Sequence, residues 1–318
     1  MKARPAPRRY SLAATVAAAL ACTALTGLGG CAGLLQTAAG EQADDASSKS
    51  RQLIRVAERT RDGGDLAAAA TLFRRAHELA PNSATPLVGL AETAAQSGSV
   101  EEAADAFRKA VALEPTSLVA HRGYARVLMT MNRPKLAVQH FRSAVALAPD
   151  DYRLRNGLAV ALDLDGRHEE AQQSYIDAME RAPDNLGLRN NLGLSLALGG
   201  DRSEAVKLLR DAAAIPGDAR LIRQNLALVL TLAGKPDEAA SVLRQDLSER
   251  EARNNVTYFA SLRSLAGSEI AAVIMGLKPA AFAPLPSSPE ADDSASDAGR
   301  PMTKVNETPV AQADPTAL

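Results

Sequence analysis

Few side chains in this 318-residue chain are typed and spaced for chemistry. The histidines are His77, His121, His140 and His168, and no two stand in the HExxH spacing of a helix-borne zinc site. His77 and His140 read as exposed surface residues rather than ligands. The two cysteines, Cys22 and Cys31, both fall in the first tenth of the chain. A disulfide framework and a cysteine-based zinc site are therefore excluded. Glu101-Glu102 and Glu169-Glu170 are carboxylate pairs, but each opens a helix, where negative charge complements the helix dipole. Gly63-Gly64 and Gly199-Gly200 lack the Lys-Ser/Thr that follows a phosphate loop. With no nucleophile, acid–base pair or metal set gathered, the sequence predicts no catalytic site, no metal and no cofactor.

One thiol is differently placed. Lys2, Arg4, Arg8 and Arg9 precede an uncharged stretch over residues 10–30, a basic start and apolar run typical of a secretory leader. The stretch ends in Leu28-Gly29-Gly30-Cys31, which resembles the lipobox of bacterial lipoproteins. That resemblance implies cleavage before Cys31 and a diacylglyceryl thioether on its sulfur, the small residues before it giving the processing enzymes access to the backbone. Cys22 would leave an apolar run of only about ten residues, short for a leader, and reads as apolar filler. An uncleaved anchor is the alternative, since 21 uncharged residues can span a bilayer. Gly27, Gly29, Gly30 and Gly33 crowd the end of the stretch and favour processing. Several acyl chains hold a protein on a membrane where one is marginal. Ala32, rather than Asp, follows the cysteine, which by the same resemblance implies the periplasmic face of the outer membrane.

These features need a scaffold, and the middle of the chain is a repeat. Ala69, Ala103, Ala137, Ala171, Ala205 and Ala239 stand 34 residues apart. A large apolar slot follows at Phe73, Phe107, Phe141, Tyr175, Leu209 and Leu243, then Ala76, Ala110, Ala144, Ala178 and Ala212, failing at Asp246. Pro81, Pro115, Pro149 and Pro183 close the first four repeats. Gly64, Gly98, Gly166, Gly200 and Gly234 share one position, where a helix end calls for a left-handed residue; Asn132 takes it in the third repeat. The pattern resembles the tetratricopeptide repeat. It implies an all-α fold: a right-handed superhelical solenoid of six repeats over residues 50–253, with helix A and helix B in each. Apolar content of 46% with 5 Tyr, 5 Phe and no Trp supports Ala- and Leu-rich helix packing and argues against a β sandwich.

Around this array the sequence predicts a signal peptide (1–30), a flexible tether (31–49), a capping helix region (254–277) and a disordered Pro/Ala/Ser-rich tail (278–318). Val256, Phe259, Leu262 and Leu265 supply the cap, and Ile270, Val273, Ile274 and Leu277 extend it. Formal charge is −1, and loss of the four leader cations makes it −5. That balance excludes a general nucleic-acid binder, which needs a dense basic surface.

In tetratricopeptide-repeat proteins helix A lines the concave face, its fifth and ninth positions turned into the groove. Here the fifth positions are Ile54, Val88, Arg122, Asn156, Asn190 and Gln224; the ninth are Glu58, Glu92, Arg126, Val160, Leu194 and Leu228. Asn191 and Asn225 add the sixth position. The expected peptide-binding groove is thus Arg122, Arg126, Asn156, Asn190, Asn191, Gln224 and Asn225, beside an apolar strip. Such amides can bond a peptide backbone, or they can bond neighbouring repeats to each other.

Arg189-Asn190-Asn191-Leu192-Gly193-Leu194, Arg223-Gln224-Asn225-Leu226-Ala227-Leu228 and Asn254-Asn255-Val256-Thr257-Tyr258-Phe259 resemble the TadD family, repeat lipoproteins of the tight-adherence (Flp/Tad) pilus system. This resemblance, over residues 20–266, implies a non-enzymatic protein–protein interaction scaffold. Its partners would be the outer-membrane secretin or other pilus assembly components, with no small-molecule substrate. An adaptor for another envelope process, such as exopolysaccharide export or envelope proteolysis, is the alternative.

Overall fold

A computed structural model describes residues 45–217 and 219–274. The predicted signal peptide, Cys31, the tether up to residue 44, the last residues of the cap region (275–277) and the tail (278–318) lie outside the described residues. Every regular element among the described residues is helical. The helices are α1 (45–62), α2 (Leu66–Leu79), α3 (Thr85–Gln96), α4 (Val100–Leu113), α5 (Leu118–Thr130), α6 (Pro134–Leu147) and α7 (Tyr152–Leu164). There follow α8 (His168–Met179), α9 (Leu186–Gly199), α10 (Arg202–Ala213), α11 (Arg220–Leu232), α12 (Pro236–Leu243), α13 (Glu249–Ser261), a 3-10 turn (Leu262–Ser264) and α14 (Gly267–Ile274).

The 34-residue period becomes alternating A and B helices, and the chain divides into two compact bodies at Gly89/Leu90. In the first body, Ser50 Oγ donates to the Ala76 carbonyl at 2.7 Å, pinning α1 to α2. Phe73 is buried against Gly89, where an added Cβ would overlap the ring. Helix α1 is already formed at residue 45, which corrects the tether boundary of 49. An i,i+4 pair between Lys49 and Asp45 at 2.6 Å supports this extra turn.

In the second body consecutive helices from α4 to α13 pack on one another, and α13 closes the stack against α11 and α12. The turn residues behave as their types require: Gly64, Gly98, Gly166, Gly200 and Gly234 have φ from 76 to 107°, and Asn132 has φ 54°. Helix starts are capped by Asp65, Asp151 and Asn185, and Ser248 with Glu251 forms a full capping box. Core wedges repeat too. A Cβ at Gly123 or Gly157 would collide with the ring of Phe107 or Phe141, so a residue without a side chain is what lets each ring enter.

Repeat six departs from the pattern for a visible reason. Helix α12 stops at Leu243, and Asp246, where the series calls for Ala, receives both Nε and Nη2 of Arg223 at 2.6 Å. The guanidinium holds the Asp246 carboxyl below its usual range. The predicted cap region also divides into two parts. Phe259 and Leu262 are buried on the end of the array. Residues 267–274 then leave it and pack on α7 and α9, two to three repeats back. A segment apolar on all sides gains more inside a groove than on one open face.

Candidate functional site

Helices α7, α9 and α11 are the A helices of repeats four to six, and they bring the predicted amides together. Asn225 Nδ2 donates to Asn190 Oδ1 at 2.8 Å, Asn190 Nδ2 to Asn191 Oδ1 at 3.2 Å, and Asn191 Nδ2 to Asn156 Oδ1 at 3.1 Å. All four asparagines are buried, at 0–2% exposure. Of the two roles open to these amides, bonding between repeats is the one this geometry displays. Position six of one repeat bonds position five of the repeat before it, an offset of 35 residues. Asn225 Oδ1, at the far end of the chain of bonds, is buried with no hydrogen-bond partner among the described residues. Gln224 is half-buried beside it; on α5, Arg122 is half-buried and Arg126 exposed, both outside the amide chain.

A second buried polar group lies next to this one. Asp163 on α7 accepts from Ser195 Oγ at 2.8 Å and sits 2.8 Å from His168 Nδ1, and the Tyr175 hydroxyl also bonds it. Burial raises the Asp163 carboxyl above the usual value despite these donors, and burial beside Asp163 raises Tyr175 well above its own. Ser, His and Asp here do not form a hydrolytic triad. Serine and histidine each bond the carboxylate, so the fully buried Ser195 hydroxyl meets Asp163 and not the imidazole that a triad places against its nucleophile. The group instead ties α7 to α8 and α9.

His140 corrects the sequence reading as well. It is half-buried, with its Nδ1 3.0 Å from Nδ1 of His121. His121 Nε2 faces the Pro115 carbonyl at 2.9 Å and must donate to it, so its Nδ1 accepts from His140. Burial, then the neighbouring His121, lowers the His140 pKa. Among the described residues no three His, Cys, Asp or Glu side chains are gathered as a metal site, and no helix is long and apolar enough to cross a membrane.

The apolar strip beside the amides is covered. Ile270, Ala271, Ala272, Val273 and Ile274 of α14 are all buried. A cavity of about 30 Å³ remains between Ala271, Ile274, Val160, Leu194, Asn191 and Tyr175. That space suits a water, not a second ligand. Sequence reasoning missed this contact, and it missed Gly267: a Cβ there would stand 2.6 Å from His168 Nε2 and 2.7 Å from the Leu198 carbonyl.

The repeat itself now has a family. Tetratricopeptide-repeat signatures match residues 57–117, 124–185 and 165–219, and a second signature of the same repeat matches 222–257, together more than half of the chain. The chain belongs to the tetratricopeptide-repeat proteins. No curated protein matches the sequence. Among solved structures, a tetratricopeptide-repeat protein from Parabacteroides merdae is similar with a TM-score of 0.60 at 15% identity, over 71% of this chain and 90% of that one. PilF of Pseudomonas aeruginosa gives 0.50 at 18% identity, over 64% and 91%. YrrB, described as having an unusual peptide-binding site, gives 0.49 at 25% identity, over 52% and 86%. The P. merdae and PilF likenesses extend to the fold alone. A tetratricopeptide-repeat array of this kind is an interaction scaffold for protein partners.

Proposed function

We propose that this tetratricopeptide-repeat protein is a lipid-anchored scaffold of the TadD family, held on the periplasmic face of the outer membrane. It acts in Flp/Tad pilus assembly, supporting assembly or localisation of the outer-membrane secretin. The observation that carries this reading is a conjunction in one chain. An apolar leader ending in Leu28-Gly29-Gly30-Cys31 precedes six repeats whose 189–194, 223–228 and 254–259 segments resemble TadD. Cys31 takes the lipid, and Ala32 directs the mature chain outward. Arg122, Arg126 and Gln224 meet the partner at the groove margin, and the asparagine chain holds the A helices in register beneath it.

The test joins anchor and partner. Wild-type protein should label with palmitate, fractionate with the outer membrane and co-purify with the secretin of the same cells. Cys31→Ser should lose the label and Cys22→Ser should keep it. Persistent labelling of Cys31→Ser would overturn the anchor. A labelled, folded protein that never retains the secretin would overturn the pilus assignment.

A further inference from the structure

The groove expected to receive a partner already holds a helix of the same chain. Val160 and Leu194 stand at the ninth repeat position and Asn191 at the sixth, on the face of helix A that the family turns toward a bound segment. All three line the cavity closed by Ala271 and Ile274 of α14. The two sides of α14 join different cores. Ala271 and Ala272 belong with Leu162, Tyr175 and Leu188, whereas Ile270, Val273 and Ile274 belong with Leu194, Leu228 and Phe259. Five consecutive buried residues mean that the helix is enclosed rather than laid on a surface.

Over residues 270–274 the attachment is apolar. Ile270-Ala271-Ala272-Val273-Ile274 carries no side-chain donor or acceptor, so these residues attach by apolar burial and close packing. The helix has eight residues, too few to be stable outside the groove. It enters through Gly267, the one residue type that fits between His168 and the Leu198 carbonyl. The link from α13 is a 3-10 turn and two further residues, which keeps α14 beside its site at high effective concentration.

We infer that α14 is a resident ligand of the α7–α9 groove, and that the protein's partner segment is a short uncharged helix of Ala, Val and Ile that must displace it. The inference rests on the scaffold reading and not on the pilus assignment. Specificity follows from the same contacts. A partner helix needs a glycine where it passes Leu198, small residues against the repeat-four face and branched apolar residues toward repeats five and six. A charged segment would lose hydration over the apolar strip and gain no counter-charge from Val160 or Leu194.

The experiment uses the full chain and a fluorescein-labelled peptide with the sequence of residues 265–277, read by anisotropy. Gly267→Val blocks entry of α14 in cis while leaving every groove residue intact. Ile270→Ser with Val273→Ser releases the helix by a different route. Each variant should bind the peptide about tenfold or more tightly than the wild-type chain, where α14 competes from within. Equal affinity for all three proteins would overturn the inference, as would no binding by variants whose circular dichroism and melting show a folded array. A wild-type dimer with α14 seated in the partner copy, detected by light scattering and mixed-variant exchange, would overturn the resident arrangement. Loss of secretin capture would bear on the pilus assignment only, since the peptide assay contains no secretin.

Discussion

Replacing Asn190 by Ala removes one of the two side chains, with Asn191, that bond in both directions along the asparagine chain. It accepts from Asn225 Nδ2 at 2.8 Å and donates to Asn191 Oδ1 at 3.2 Å, and its own exposure is 1%. The substitution therefore strands a buried donor and a buried acceptor. Each stranded group costs about 1–3 kcal/mol, which puts Asn190→Ala at about 2–6 kcal/mol. Asn225→Ala is the informative companion. It strands only Asn190 Oδ1 and removes Asn225 Oδ1, which has no partner to lose. Its cost should be about half or less of that of Asn190→Ala. Urea unfolding of both variants, followed by far-UV circular dichroism, gives the comparison, and the slope reports whether the array still melts as one unit. Asn190→Ala within about 0.5 kcal/mol of wild type would place it with ordinary surface substitutions and refute the reasoning. So would Asn225→Ala proving the costlier change. If the amides served a bound peptide instead, both variants would melt like wild type and lose affinity for it.

Two further perturbations test the packing around this seam. Gly123→Ala should stabilise helix α5 by about 1 kcal/mol on propensity alone, but overlap of the new Cβ with the Phe107 ring reverses the sign; a net loss of about 1–2 kcal/mol in urea unfolding is expected, and a rise in stability would refute the wedge. Asp246→Asn should cost about 1.5–3 kcal/mol at neutral pH by uncoupling Arg223. Because the folded carboxyl titrates below its unfolded value of about 3.9, this contribution is complete above that pH and fades as pH falls through the folded value. Wild type and Asp246→Asn should therefore converge in acid, and a gap that stays constant down to pH 2 would assign the cost to something other than the ion pair.

The array was legible because its information is local and periodic. Gly64 through Gly234 and Asn132 mark the A–B turns, and each adopts the left-handed backbone its position implies. Pro81, Pro115 and Pro149 each fall two residues past the ends of α2, α4 and α6. The asparagines were legible as residue types at positions five and six, but their pairing needs the side-chain geometry of two repeats at once. The docking of α14 had no local signal at all. Ile270 to Ile274 is apolar all round, so no periodicity selects a face, and its site is built from α7 and α9 far upstream. Gly267 has the same difficulty, since its constraint comes from His168 and Leu198.

Position six links these findings. In repeats two, three and four it is Gly89, Gly123 and Gly157, and each admits the phenyl ring of the repeat before it. In repeats five and six it is Asn191 and Asn225, and the preceding slots hold Tyr175 and Leu209. The exchange is coupled. An asparagine at this position occupies space that the glycines leave to a ring, while the Tyr175 hydroxyl finds Asp163 and the asparagine amide finds Asn156. The later repeats thus replace an aromatic wedge with a polar seam that specifies a partner atom for most of its groups, which fixes the register of α7, α9 and α11 more narrowly than apolar packing alone. A groove meant to take and release a helix needs walls that keep their spacing when it is empty. Apolar walls alone would relax toward each other once α14 left. Walls tied by Asn156, Asn190, Asn191 and Asn225 below, and by Asp163, His168 and Ser195 alongside, retain their separation. The polar seam and the displaceable helix therefore occupy the same repeats for one physical reason.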